Sequence, residues 1–385
     1  MKTFFLILAV LTLSVFTAQA KTLRLADYGT PGDNIDDAAG FQTAVDELAA
    51  SGGGTLVISE GVWDVNQGIN LVNPATNVTS IRITGNKGAL IRLALNEEHT
   101  FLNIGNGVQA ELSGLVVVSK TTGPRYDGGY FLQSLYTGQT IIQNCNFFGL
   151  FMKYDFIKTG NTDLIVEKCI FGGNAANGAQ IHVTNFMGLT VRDTLFLDYY
   201  HFLDTYYSKT PDNVGYWIKA ENTAMPPANA MGTKAVTVTN SRFDEGAPVA
   251  ISVQNAPYAD ISDILVNVGS TSNSTGIQLF NVVYAQVKMA QFGFTPAARP
   301  AIYARQSTVE VIGLRFANGV FFADVDRATK VFKEKCAQCL EMSVEKAGPV
   351  EPKTPESTKT VKPAEAVREI TPVKTNRTAN GKLEN

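Results

Sequence analysis

Four stretches decide how this chain is read: TIIQNCNFFG at 140–149, LIVEKCIFGG at 164–173, LTVRDTLFLD at 189–198 and VTVTNSRFDE at 236–245. Reduced to residue types they share one phrase: apolar (Thr140 in the first copy), any, apolar, any, then Asn, Asp or Lys, then Cys, Thr or Ser, any, and Phe. The phrase is anchored at Phe147, Phe171, Phe196 and Phe243, and looser copies at Val117, Val266, Phe292 and Phe316. Successive anchors are 30, 24, 25, 47, 23, 26 and 24 residues apart, so most intervals sit near 24 and the long one is close to twice that. A fixed period of this length marks a repeat architecture.

Inside each copy apolar residues alternate with polar ones, as in Leu189 and Val191 or Val236 and Val238, which is the signal of a half-buried strand. A further strand precedes many of the copies: AQIHV before LTV, AISVQ before ADIS, GIQLF before AQVK and AIYAR before VEV. One coil of short strands cannot bury its apolar side alone, whereas stacked coils share a continuous core. The expected fold is therefore all-β, a right-handed single-stranded parallel β-helix over residues 21–325, its hand following the usual preference of parallel crossovers. Asn144, Asp193, Asn240 and Asp263 fall at one corner, where short polar side chains tolerate bent backbone. In the next column Cys145 and Cys169 fall on neighbouring coils, at a separation a disulfide can bridge; two free buried thiols is the alternative reading. The 47-residue interval is read as two coils, the second hidden in 198–222, DYYHFLDTYYSKTPDNVGYWIKAEN.

The ends read differently. Residues 1–20 carry Lys2, an apolar run and Ala18-Gln19-Ala20, the pattern of a signal peptide, so the mature chain is expected to be secreted or periplasmic, with no membrane span. Residues 326–340 suggest a short helix closing the far end, next to Cys336-Ala-Gln-Cys339, which reads as a local disulfide or two packed thiols. Residues 341–385 contain no aromatic residue and are rich in Pro, Lys, Glu and Thr, so they are expected to form a disordered tail. The formal net charge is −3 and the basic residues are scattered, which disfavours nucleic acid as a partner.

Residues 26–65 contain a helix pattern with Phe41, Val45 and Leu48 on one face, Asp36 or Asp37 before it and Gly52, Gly53 and Gly54 after it. Such a helix would cover the open end of the solenoid. This segment resembles the N-terminal motif of the pectate-lyase superfamily of β-helix proteins (pectate lyase 3-like). The resemblance rests on Asp27, Tyr28, Gly29, Gly32, Asp33, Asp36, Asp37, Phe41, Gln42, Ala44, Gly52, Gly53, Gly54 and Gly61. Asn34, Ser59-Glu60 and Trp63 depart from that motif, in which Gly, Pro and Tyr are usual there. The resemblance implies a carbohydrate-active protein acting on a polysaccharide: a lyase, a glycoside hydrolase, or a non-catalytic glycan-binding or surface β-helix. Calcium stands as a candidate cofactor, with no ligand set assigned.

Chemistry on such a fold would sit on outward side chains that form ladders along the stack. Leu132, Ile157, Ile181, Ile251, Ile277 and Ile302 are expected to point inward, which turns Gln133, Lys158, His182, Ser252, Gln278 and Tyr303 outward. With Asp204 or Tyr206 on the hidden coil, Lys158 and His182 would form three consecutive rungs suited to proton abstraction beside a uronate carboxylate. Hydrolysis would need two carboxylates, with Asp155, Asp198 and Asp204 nearby. Gln133, Tyr207, Trp217 and Tyr303 are the expected substrate-binding residues.

Overall fold

A computed structural model describes residues 21–72, 79–120, 126–136, 138–175, 178–197, 215–226, 235–244, 247–267, 275–293, 300–317, 321–336 and 342–344. It is a parallel β-helix. Three strands per coil stack into three sheets. The first sheet has twelve strands, from Lys21–Arg24 to Lys330–Glu334, the second ten, from Gly61–Val65 to Arg315–Phe316, and the third eleven, from Ile69–Leu71 to Met342–Val344. Every strand pairing described is parallel. Among the described residues no helix is long and apolar enough to cross a membrane.

The repeat phrase covers the end of a first-sheet strand, a corner, and the start of a second-sheet strand. All eight anchors pair in register, from Val117 through Phe147, Phe171, Phe196, Phe243, Val266 and Phe292 to Phe316. Their rings stack: Phe147 on Phe171 at 5.0 Å between centroids, Phe171 on Phe196 at 5.1 Å and Phe196 on Phe243 at 4.9 Å. Phe196 pairs directly with Phe243, so the 47-residue interval is one coil and not two. Its extra length lies between the strands, in 198–214 and 227–234, outside the described residues.

At the corner, Asn144, Asp193, Asn240 and Asp263 adopt φ of +54, +53, +45 and +54°, as their residue types allow. Lys168 and Met289 adopt the same conformation at the same place, so the stack imposes the bend even where the residue does not favour it. The following small residue donates back to the carbonyl two positions earlier. Thr194 Oγ1 reaches Arg192 O at 2.9 Å and Ser241 Oγ reaches Thr239 O at 2.8 Å. Cys145 Sγ does the same to Gln143 O at 3.2 Å and Cys169 Sγ to Glu167 O at 3.3 Å. Cys145 and Cys169 are buried free thiols, the second of the two readings the sequence left open, and not a disulfide pair. In these four coils the column holds a small donor, a role a thiol can fill, whereas Ile264, Ala290 and Leu314 occupy it in later coils. Hydrogen bonding with Cys169 and burial push the Cys145 thiol up and keep it protonated.

The helix Ala38–Ala50 caps the stack, burying Phe41, Val45 and Leu48. Asp36 accepts from Ala38 N at 3.1 Å and from Asn66 N at 2.9 Å, while the carboxylate of the adjoining N-cap residue, Asp37, accepts from Asp64 N at 2.9 Å. Gln42 pairs with both backbone groups of Asn70, accepting at 2.8 Å and donating at 2.9 Å, as an added strand would. The motif residues of this segment thus satisfy an open strand edge. Gly40 is required by space, since a Cβ there would lie 2.4 Å from Tyr28 O.

At the far end the expected helix over 326–340 is replaced by the strand Lys330–Glu334, paired with Thr308–Ile312. Asp326 Oδ1 accepts from Thr329 N at 2.9 Å and its two oxygens from Gln306 N at 3.1 Å, and this fixes a turn that feeds a strand. Met342–Val344 pairs with Phe321–Val325, so the first residues assigned to the tail add a rung to the third sheet. Cys336 is disulfide-bonded. Residues 1–20, Cys339 and 345–385 lie outside the described residues.

Replacing Phe171 or Phe196 by Ala should cost about 3–5 kcal/mol, read as a lower urea midpoint, because each ring is fully buried between two others. Cys145→Ser and Cys169→Ser should each fold with little loss, since a hydroxyl keeps the corner bond. The unreduced, denatured protein should expose both thiols to a thiol reagent.

Candidate functional site: a charged ladder on the third sheet

The third sheet turns one column of side chains outward, and its register is explicit. Asn103 pairs with Gln133, Gln133 with Lys158, Lys158 with His182, His182 with Lys219, Lys219 with Ser252, Ser252 with Gln278, and Gln278 with Tyr303. The flanking inward residues Leu132, Ile157, Ile181, Ile218, Ile251, Ile277 and Ile302 are all buried. Gln133, Lys158, His182 and Tyr303 thus stand in one column, as the strand phase predicts. The rung after His182 is Lys219, not Asp204 or Tyr206. Those two residues, with Tyr207 and Asp198, lie outside the described residues. Trp217, expected to bind substrate, is fully buried and packs on Phe196 at 5.8 Å; it shares the parity of outward Lys219, but it stands at the strand entrance, where Phe131 and Phe156 are buried just before Leu132 and Ile157 in the same way.

Around Lys158 and His182 the structure gathers Asp155, a candidate carboxylate of the sequence, and two charges that the sequence did not assign, Glu221 and Lys219. His182 Nδ1 lies 2.9 Å from Asp155 Oδ2, and its Nε2 lies 2.8 Å from Glu221 Oε1. Lys158 Nζ lies 2.7 Å from His182 Nδ1 and 3.6 Å from Asp155 Oδ2. Lys219 Nζ lies 2.9 Å from Glu221 Oε2. The imidazole therefore sits between two carboxylates, and it can donate to both only when both ring nitrogens carry protons.

Asp155 is 8 % exposed and enters from the segment that leads into the strand Ile157–Gly160. Its Oδ1 accepts from Ala179 N at 2.8 Å. Burial opposes its ionisation, but the bond from His182, the Ala179 N–H and the Lys158 charge outweigh burial and hold the carboxyl below the usual carboxylate range. Glu221 is likewise held low: burial opposes ionisation, and the hydrogen bonds from Lys219 and His182 prevail. Burial lowers the pKa of Lys158 against the pull of Asp155 and Glu221. An amine lowered in this way is closer to serving as a base.

An aromatic pair borders the cluster. Tyr130 and Tyr154 lie 5.2 Å apart, Tyr154 OH donates to Glu98 at 3.0 Å, and burial together with the Asp155 charge raises the Tyr130 pKa. Three rungs beyond Lys219, Tyr303 carries the Arg305 guanidinium over its ring at 3.8 Å. Among the described residues no group of three or more His, Cys, Asp or Glu side chains is placed to hold a metal ion.

Lys219, Glu221, Tyr130 and Tyr154 were missed by the sequence reading. A signal for the first two existed: IKAEN at 218–222 repeats IHVTN at 181–185 and ISVQN at 251–255, which fixes the phase of that strand. Tyr130 and Tyr154 gave none, because only the folded coil brings them together.

No protein-family model matches the sequence, and no curated protein matches it. Several solved structures align with most of this chain. PfbA, a surface adhesin of Streptococcus pneumoniae, is 13 % identical, with 81 % of this chain and 93 % of that chain covered and a TM-score of 0.39. The exopolygalacturonase of Thermotoga maritima is 10 % identical, covering 82 % and 88 %, with a TM-score of 0.42. A tailspike protein of E. coli bacteriophage HK620 is 14 % identical, covering 81 % and 63 %, with a TM-score of 0.45. At this distance the likeness concerns the fold and transfers no activity.

A Cβ on Gly178 would fall 2.3 Å from Asp155 Oδ1, so Gly178→Ala should displace that carboxylate and break its bond to His182, visible as changed ring-nitrogen shifts in NMR. The lowered carboxyls also set a pH dependence. Their contribution to stability is complete above the unfolded carboxylate values and is lost as pH falls through the lower folded values. Unfolding midpoints should drop on acidification from about pH 5 to about pH 3, and Asp155→Asn should flatten that slope.

Proposed function

We propose that this is an exported carbohydrate-active β-helix enzyme of the pectate-lyase superfamily type, which cleaves a uronate-containing polysaccharide by β-elimination along the outward column of the third sheet. The observation that carries the reading is the convergence of Lys158, His182 and Lys219 on consecutive rungs, held by Asp155 and Glu221. The N-terminal Lys2, apolar run and Ala18-Gln19-Ala20 support export.

Elimination removes the proton beside the uronate carboxylate, forms a carbon–carbon double bond and expels the glycosidic oxygen, which takes up a proton. Lys158 is the base of this reading, since its burial favours the neutral amine. Lys219 is placed to neutralise the substrate carboxylate, and His182 to supply a proton to the leaving oxygen. Tyr130 and Tyr154 offer ring faces to the sugars on one side, and Gln133 a hydrogen-bonding amide.

Hydrolysis is supported less well. A hydrolase needs a carboxyl raised to serve as general acid, and both carboxyls here are held low.

The test is a panel of polygalacturonate, alginate, chondroitin and neutral polysaccharides with the purified protein. Growth of the unsaturated-sugar absorbance is expected on an acidic polymer. Lys158→Ala and His182→Ala should each lower kcat by about 10²-fold or more, with unfolding midpoints near wild type. Activity should rise with pH toward the Lys158 value, which lies below that of an ordinary lysine. New reducing ends without absorbance would indicate a hydrolase instead, and no product on any polymer would favour a non-catalytic β-helix protein.

A further inference from the structure

A second concave surface lies away from the charged ladder, along the corner between the first and second sheets. It is a trough of about 560 Å³ that crosses five successive coils, from Asp193–Leu195 to Gly313–Arg315. One wall is the column of left-handed corner residues, with Asp193, Asn240 and Asp263 exposed. The opposite wall is the first outward position of the second-sheet strands, with Arg242, Gln291 and Arg315 exposed. Leu195 and Leu265 stand half-buried on that same side. None of these residues belongs to the third sheet, so the trough is separate from the Lys158–His182 cluster.

The polar groups are partly committed and partly free. Asn240 Nδ2 donates to Asp193 Oδ1, and Arg242 Nε pairs with Asp244 at 2.7 Å. Among the described residues the side chains of Asp263, Gln291 and Arg315 have no hydrogen bond or ion pair. The trough therefore presents an unpaired carboxylate, amide and guanidinium, on rungs spaced by about 4.8 Å and spanning roughly 19 Å in all.

These features restrict the occupant. Every strand beside the trough except the terminal Arg315–Phe316 is paired on both sides, so a peptide strand could add only beyond that last rung and not along the trough. Asp193 and Asp263 balance Arg242 and Arg315, so the lining carries no excess of either charge to draw in a phosphate or uronate chain. Planar carboxylate, amide and guanidinium groups suit pairs of neighbouring hydroxyls, and the leucines suit the C–H faces of sugar rings. We infer that this corner is a second, non-catalytic glycan site that takes a linear, uncharged oligosaccharide lying along the coil stack.

The experiment is titration calorimetry of the wild-type protein with cellohexaose, xylohexaose, mannohexaose and hexagalacturonate. Saturable binding of at least one uncharged hexamer is expected, and the matching dimer should bind at least tenfold more weakly. Arg315→Ala and Asp263→Gly should each weaken binding by about tenfold or more with unchanged unfolding midpoints, since both side chains are exposed and Gly takes the left-handed corner, as Gly313 does. His182→Ala should bind as wild type. The inference is overturned if no uncharged hexamer binds, if binding survives both trough substitutions, or if it is lost in His182→Ala. Loss in His182→Ala would place the sugar on the charged ladder, and an inactive enzyme that still binds through Arg315 would leave this site standing while the elimination reading fails.

Discussion

In-register parallel pairing places each residue directly over its counterpart one coil earlier, and everything else in this structure depends on that alignment. In the second sheet it sets Phe147, Phe171, Phe196 and Phe243 face over face, at 5.0, 5.1 and 4.9 Å between centroids. Each ring is fully buried, so its contribution is both apolar area and ring stacking. A slip of one residue would turn this whole column outward, so the stack fixes its own register. The same register then fixes which side chains face solvent on the other two sheets.

The corners transmit that phase from sheet to sheet. The left-handed residue bends the chain, and the small residue after it ties the bend by donating back two positions. Cys, Thr and Ser are interchangeable there because the bond asks only for a short donor. A second set of left-handed residues, Asn161, Asn185, Asn255 and Asn281, turns the chain from the third sheet to the first. Asn255 and Asn222 exchange amide-to-carbonyl bonds at 2.7 and 2.9 Å, so the amides bind coil to coil as well as shaping the turn.

On the third sheet the register stacks two lysines and a histidine on consecutive rungs, an arrangement that would repel itself without counter-charges. Asp155 and Glu221 supply them, and His182 bonds to both. A half-buried lysine beside buried carboxylates is costly to desolvate unless paired, and the cluster is paired throughout. Such an expense on an outward face, where solvated residues would stabilise the fold equally well, is what supports the proposal that this ladder is a site.

The amino-acid sequence by itself determined the solenoid, because a 24-residue period with a fixed Phe phase has no other economical packing. It also determined that Lys158 and His182 share an outward column, since strand parity relative to Ile157 and Ile181 is a local property. It misjudged the 47-residue interval, because a long excursion between strands and an extra degenerate coil have the same length. That single ambiguity exchanged Lys219 for Asp204 or Tyr206, while Trp217 was set outside because its alternation matches that of outward Lys219. It also misjudged 326–340, where charged residues suit a helix and an edge strand alike. Only the tertiary structure decided that Asp155 and Glu221 flank His182 and that Tyr130 meets Tyr154. Those contacts join residues from neighbouring coils, 27 and 39 positions apart for the two carboxylates, and no local pattern reports the geometry of a coil stacked on the next.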